Sequence, residues 1–161
     1  MPSTIIADAS CLILLSRIGR LGLLQGVFGS VVVTPEVAEE FGVPLPDWMT
    51  IKSVGNRDYQ RVLEVNLDRG EASSIALAIE ARDALLIIDD RKGRNHAIRL
   101  GLRLTGTIGV ILAAKEKGLI PEVASVLKAV CQTDFRISER IILHALERAG
   151  EEVSDTFFDA K

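Results

Sequence analysis

Acidic side chains stand directly behind three short apolar runs of this 161-residue chain. Asp8 follows Thr4-Ile5-Ile6-Ala7, while Glu36, Glu39 and Glu40 come just after Val31-Val32-Val33 and Thr34-Pro35. Asp89-Asp90 close the run Ala84-Leu85-Leu86-Ile87-Ile88. In open parallel α/β sheets ligands bind outside the carboxyl ends of the strands, so acids placed this way collect at one edge. Two like charges about 4 Å apart repel by roughly 4 kcal/mol at an effective dielectric near 20. Converging carboxylates therefore need protons, basic partners or a divalent cation. Mg2+ or Mn2+ suits an all-oxygen donor set, whereas zinc calls for His or Cys, which are scarce in this chain.

Helical spacing sorts the acids. Val37 and Phe41, four residues apart, define the buried stripe of a short helix, and Glu39 points away from it into solvent. Glu36 and Glu40 lie on its borders, and Glu40, next to Phe41, is the preferred candidate. Glu71 precedes Ile75 by four residues and so continues the Ala72-Ile75-Ala76-Ile79 face that should pack on the sheet, an odd place for a surface charge. Neighbouring residues at a strand end point to opposite sides, so one of Asp89 and Asp90 is expected to be a cap.

From Arg91 to Arg103 the chain carries Arg91, Lys92, Arg94, His96, Arg99 and Arg103 without one acid, although the whole chain has a formal charge of −3. Such a block could hold a polyanion locally, where no global positive field draws one in. Arg94 is nearest the acids. Thr107, after Thr105-Gly106, reads as a helix cap whose hydroxyl also suits a phosphate or a metal-bound water, and Ser10 has the same double reading. His96 and His144 read as ordinary half-buried residues, and Cys11 and Cys131 as reduced core residues.

Strands alternate with helices along the chain, which implies a parallel sheet covered on both faces. Strands are expected at Thr4–Ala7, Val31–Val33, 50–54, 84–88 and 102–105. Helices are expected after Ser10, from Pro35 to Phe41, over 57–66, from Gly70 to Arg82, over 92–100 and over 107–117. Two more amphipathic helices follow Pro121 and Ser138, placed either to pack on the domain or to build a dimer. Residues 1–149 read as one domain, and the acidic residues 150–161 as a frayed tail. No apolar stretch approaches the run of about 20 that spans a bilayer, and no secretory pattern opens the chain, so a reducing cytoplasm is the expected setting. With 4% aromatic residues, base stacking cannot dominate a nucleic-acid surface, and sugar-phosphate contacts must. A Gly-Lys-Ser/Thr nucleotide loop is absent, the lysine of a receiver domain is replaced by Thr105-Gly106-Thr107, and Ser10 stands where a dehalogenase-type phosphatase needs a second aspartate.

Asp8-Ala9-Ser10, Glu40, Gly70-Glu71-Ala72, the Leu86-Ile87-Ile88-Asp89-Asp90 corner with Arg94, and Thr105-Gly106-Thr107 together resemble the PIN domain. The resemblance runs from about residue 4 to 118. Lys117-Gly118-Leu119-Ile120 and Arg136-Ile137-Ser138 are similar to an uncharacterised PIN-like subgroup of predicted nucleic-acid-binding proteins. It implies a three-layer α/β/α sandwich with a central parallel sheet, and a Mg2+- or Mn2+-dependent endoribonuclease. Asp8, Glu40, Glu71 and one of Asp89 or Asp90 would be the acids, with Ser10, Arg94 and Thr107 in support. RNA as substrate, an antitoxin protein as partner and a homodimer follow from the same resemblance. Many members of the resembled family are the toxins of toxin-antitoxin pairs, and two positions depart from the better-known of these, which usually carry a threonine, a spacer and an aspartate where Asp89-Asp90 stands, and an aspartate where Glu71 stands.

Overall fold

The apolar runs ahead of the acids become the strands of one parallel sheet. A computed structural model describes residues 1–159. Its strands are β1 (Thr4–Ala7), β2 (Val31–Val33), β3 (Met49–Ile51), β4 (Ala84–Ile87) and β5 (Arg103–Thr105). Their order is β3-β2-β1-β4-β5, and every pairing is parallel. The chain builds one half of the sheet outward from β1, then returns to build the other, so the topological switch point lies between β1 and β4.

Side chains alternate across these strands. Ile5, Ala7, Val31, Val33 and Ile87 face α1 (Ala9–Arg17), α2 (Gly22–Phe28) and α3 (Pro35–Phe41). Ile6, Ala84, Leu86 and Ile88 face α4 (Arg57–Glu64), α5 (Arg69–Ala81) and α6 (Arg91–Arg99). This is the three-layer α/β/α sandwich that the alternation of elements predicts.

A third apolar cluster joins α7 (Thr107–Glu116) to α8 (Val123–Cys131) and α9 (Glu139–Arg148). The two C-terminal helices thus pack on the domain. The expected frayed tail is corrected as far as residue 158: Phe157 is buried in this cluster and Phe158 packs against it. Glu151 accepts hydrogen bonds from the N–H groups of Val123 (2.6 Å) and Ala124 (3.0 Å), satisfying donors that the start of α8 leaves open. Fraying at residues 160–161 lies outside the described residues.

Three further expectations shift. α2 was hidden by Gly22 and Gly26, which lower helix propensity although Leu23, Leu24 and Val27 are buried. α5 starts one residue early because Asp68 caps it. Cys11 is buried but Cys131 is exposed. Among the described residues no single helix is long and apolar enough to cross a membrane.

One buried polar network fixes α3 against α5. Thr34 caps α3 by accepting from Val37 N–H at 3.2 Å, and its oxygen lies 2.7 Å from Ser73 Oγ. Ser73 donates its single hydroxyl hydrogen to the Gly70 carbonyl at 2.9 Å, so Thr34 is the donor to Ser73. This chain holds the first turn of α5 beside α3. Thr34→Val, which keeps the shape and removes both bonds, should cost about 1–3 kcal/mol of stability, measured as a lower urea midpoint.

Candidate active site

Asp8, at the carboxyl end of the central strand, stands at the N-cap of α1, yet its carboxylate makes no capping bond. It is 2% exposed. Burial, together with the charges of Asp68, Glu40 and Asp89 and against a contribution from the Ala9 N–H, pushes its pKa from 3.8 to about 7. Glu71, in the first turn of α5, is buried as its place on the apolar face predicts. Burial, then Asp68, Asp90 and Asp8, push it from 4.5 to about 8. Glu40 is also raised, by burial and by Asp68.

The geometry around Gly70 shows how close these groups come. A methyl in place of its hydrogen would lie 2.8 Å from Glu40 Oε2, 3.4 Å from Asp8 Oδ1 and 3.6 Å from Asp68 Oδ1. Glycine there leaves the space into which three carboxylates face. Glu40, Asp8 and an acid not among the expected ones, Asp68, thus border one space, and Glu71 has Asp68, Asp90 and Asp8 as its charged neighbours.

Asp68 escaped the sequence reading because that reading began α5 at Gly70. Its carboxylate caps the helix, accepting from Glu71 N–H at 2.8 Å. The signal was available: Asp68 and Glu71 have the spacing of a capping pair, with the acid at the N-cap and Glu three residues on.

Asp89 and Asp90 part as neighbours at a strand end should. Asp90 caps α6, accepting from Gly93 N–H at 3.0 Å, and lies on the side of Glu71. Asp89 turns toward Asp8 and is gripped by Thr107, whose N–H donates at 2.8 Å and whose hydroxyl donates at 2.5 Å. Thr107 is thus not the cap of α7: Gly106 holds that position. Its hydroxyl orients an acid instead. Ser10 is likewise inside the first turn of α1, with Asp8 at the N-cap.

Arg94, one turn into α6, donates from Nη1 to the Ile88 carbonyl at 2.8 Å. A methyl on Gly106 would meet Asp89 Oδ1 at 2.7 Å and Arg94 Nη1 at 3.2 Å, so acid and guanidinium crowd the same corner. Other members of the basic block do not reach it. Arg103 pairs with Asp83, Arg91, Lys92 and Arg99 are exposed, and His96 lies 3.0 Å from the Lys92 carbonyl through Nδ1. His144 is exposed rather than half-buried. Glu39 is solvated as expected, and Glu36 is withdrawn from the acids by an ion pair with Arg57 at 2.8 Å. Although burial opposes it, hydrogen bonds from its own backbone, Arg57 and Gln60 hold Glu36 below the usual carboxylate range.

Among the described residues, no three His, Cys, Asp or Glu side chains close into a group that could grip a metal ion as they stand. The donor chemistry nonetheless fits a hard cation: the groups are all carboxylates, and burial and mutual repulsion have raised two of them toward neutrality.

A parallel sheet with acids at its switch point, supported by a Thr and an Arg from adjoining corners, defines a class of α/β domains built to handle polar ligands at the strand ends. A family model described as PIN domain (DUF3368) matches residues 4–151, and the chain belongs to this family. Membership points to a nuclease-like, nucleic-acid-binding role. A comparison with curated proteins finds no match.

The raised carboxyls give stability a sign. An acid whose folded value exceeds its unfolded value holds its proton more tightly in the native state, so its contribution is full below the unfolded value and disappears as pH rises through the folded one. For Asp8 that window runs from 3.8 to about 7. Unfolding free energy should fall across it, and Asp8→Asn should flatten the fall. At pH 8 the variant should be more stable than the parent by about 1–3 kcal/mol by urea denaturation, screening by nearby solvent keeping the gain below the full shift.

Proposed function

We propose that this chain is a metal-dependent endoribonuclease, hydrolysing phosphodiester bonds of single-stranded RNA at the corner bounded by Asp8, Glu71 and Asp89. The observation that carries this reading is the gathering of Glu40, Asp68 and Asp89 around the buried Asp8 at the switch point of the sheet. Family membership gives the substrate class, nucleic acid. Asp8, Glu71 and Asp89 would hold Mg2+ or Mn2+, Asp90 being the cap of α6. When bound, the ion supplies a polarised phosphoryl oxygen and a water acidic enough to be a nucleophile at neutral pH.

The chain's own groups prepare that step. Thr107 holds Asp89 by two hydrogen bonds, which fixes the direction of its carboxylate. Asp68, tied down by Glu71 N–H, adds negative charge from behind and so favours cation over proton loss to solvent. Glu40, at the exposed rim, is placed to accept a proton from an entering water. Arg94, anchored on the Ile88 carbonyl, sets a fixed positive charge where a phosphate oxygen would lie.

A second reading, a PIN-like module that binds nucleic acid or protein without cutting, is favoured by one observation: the described carboxylates do not close into a three-ligand group as they stand. Labelled single-stranded RNA with Mn2+ separates the two. The nuclease reading expects cleavage by the parent that falls at least about 100-fold in Asp8→Asn and in Glu71→Gln, the scale of losing one electrostatic element of an active site. Cleavage undiminished in Asp8→Asn overturns the assignment. A parent that binds RNA but leaves it whole at millimolar Mn2+ establishes the second reading.

A further inference from the structure

The acids are flanked by two recesses of opposite character. One, between α3 and the start of α5, is lined by Glu36, Glu39, Glu40, Glu64 and Asp68, with Arg69 its only cation among the described residues. A polyanion is repelled there. The other is a cleft of about 420 Å3 between the β5–α7 corner and α9, within the size range of small-ligand pockets. It is lined by Asp89 and Arg94, by Ile108, Phe135 and Ile137 as apolar members, and by Arg136 and Arg148.

Among the described residues Asp89 is the only acid lining this cleft, and Thr107 already engages it. Among the described residues no carboxylate lies within ion-pair distance of Arg94, Arg136 or Arg148. Arg136 and Arg148 thus line the cleft without an ion-pair partner among the described residues, and Arg94, which shares its corner with Asp89, adds a third guanidinium, in a chain whose net charge is negative. His144 and Arg148 are four residues apart on α9, so they present to the cleft as one face. Positive rim, apolar floor and one end at the acids are complementary to a nucleotide: phosphate oxygens for the arginines and a base for Phe135 and Ile137.

We infer that this cleft seats the nucleotide next to the bond that is cut, with Arg136 and Arg148 on its phosphate and Phe135 beneath its base. The inference rests on the reading of the chain as a nuclease, and it gives that reading a direction: the strand leaves the acids across α9 and never across α3. The last helix, α9, and the segment leading into it then form part of the substrate site as well as part of the core.

Binding without catalysis tests it. A fluorescein-labelled single-stranded RNA decamer is titrated in EDTA against the full chain, against Arg136→Gln/Arg148→Gln and against Arg136→Lys/Arg148→Lys, at several salt concentrations. Both arginines are exposed, and circular dichroism checks that each variant keeps its helices. The glutamine pair should weaken binding about ten-fold or more and flatten the slope of log K against log salt by about 1.4, close to 0.7 for each lost phosphate contact on a single strand. The lysine pair should retain the slope while losing part of the affinity, because it keeps charge and loses the guanidinium fork. Phe135→Ala should weaken binding with the slope unchanged. Glutamine variants that bind as the parent does, at every salt concentration, overturn the inference. So does competition by polyglutamate as effective per charge as RNA, since the cleft would then read charge alone. Arginine-dependent binding by a parent that never cleaves RNA leaves the cleft assignment standing and removes the nuclease reading.

Discussion

Repulsion between two buried carboxylates, Asp8 and Glu71, and the acids gathered around them is the interaction around which this molecule is arranged. Asp8 has Asp68, Glu40 and Asp89 near it, and Glu71 has Asp68, Asp90 and Asp8. Left to themselves, such groups would swing into solvent or stay protonated. They are kept together because each is fastened to an element that has its own reason to be where it is. Asp8 ends the central strand, Glu71 lies on the buried face of α5, and Asp89 and Asp90 close β4. Apolar clusters on both faces of the sheet hold these elements, so hydrophobic burial offsets the electrostatic cost of the pocket.

The polar contacts around the site do specific work in that arrangement. Asp68 and Asp90 each satisfy a helix N-terminus while lending charge to Glu71. Thr107 ties Asp89 to the start of α7, and the Thr34–Ser73–Gly70 chain ties α3 to α5, so that Glu40 arrives opposite Gly70. The same residues cap helices and aim carboxylates. A site that must hold several acids at a sheet edge gains directional precision from this arrangement, because fixed helix starts hold side chains more firmly than loops do.

Much of this was legible in the residues. Uninterrupted runs such as Val31–Val33 and Ala84–Ile87 can only be strands buried on both faces, and acids after them must lie at one edge. The burial of Glu71 was legible from its period, which places it on the apolar face of α5. Asp68 was hidden because caps are read from helix boundaries, and boundaries are the weakest part of a reading from periodicity. Ser10 and Thr107 misled for a related reason: both have the chemistry of a cap, but the neighbours Asp8 and Gly106 hold the N-cap positions. The fate of Phe157 could not be read locally, because its burial depends on α7, α8 and α9 meeting.

Side-chain carboxyl titration of the metal-free protein by carbon-13 NMR, with Asp8 and Glu71 assigned from their amide variants, probes the shared pocket most directly. The account expects midpoints near 7 for Asp8 and 8 for Glu71, both moving down into the ordinary carboxylate range when Mg2+ is added. Two isolated titrations near the model-peptide values of about 4, unmoved by Mg2+, would contradict it.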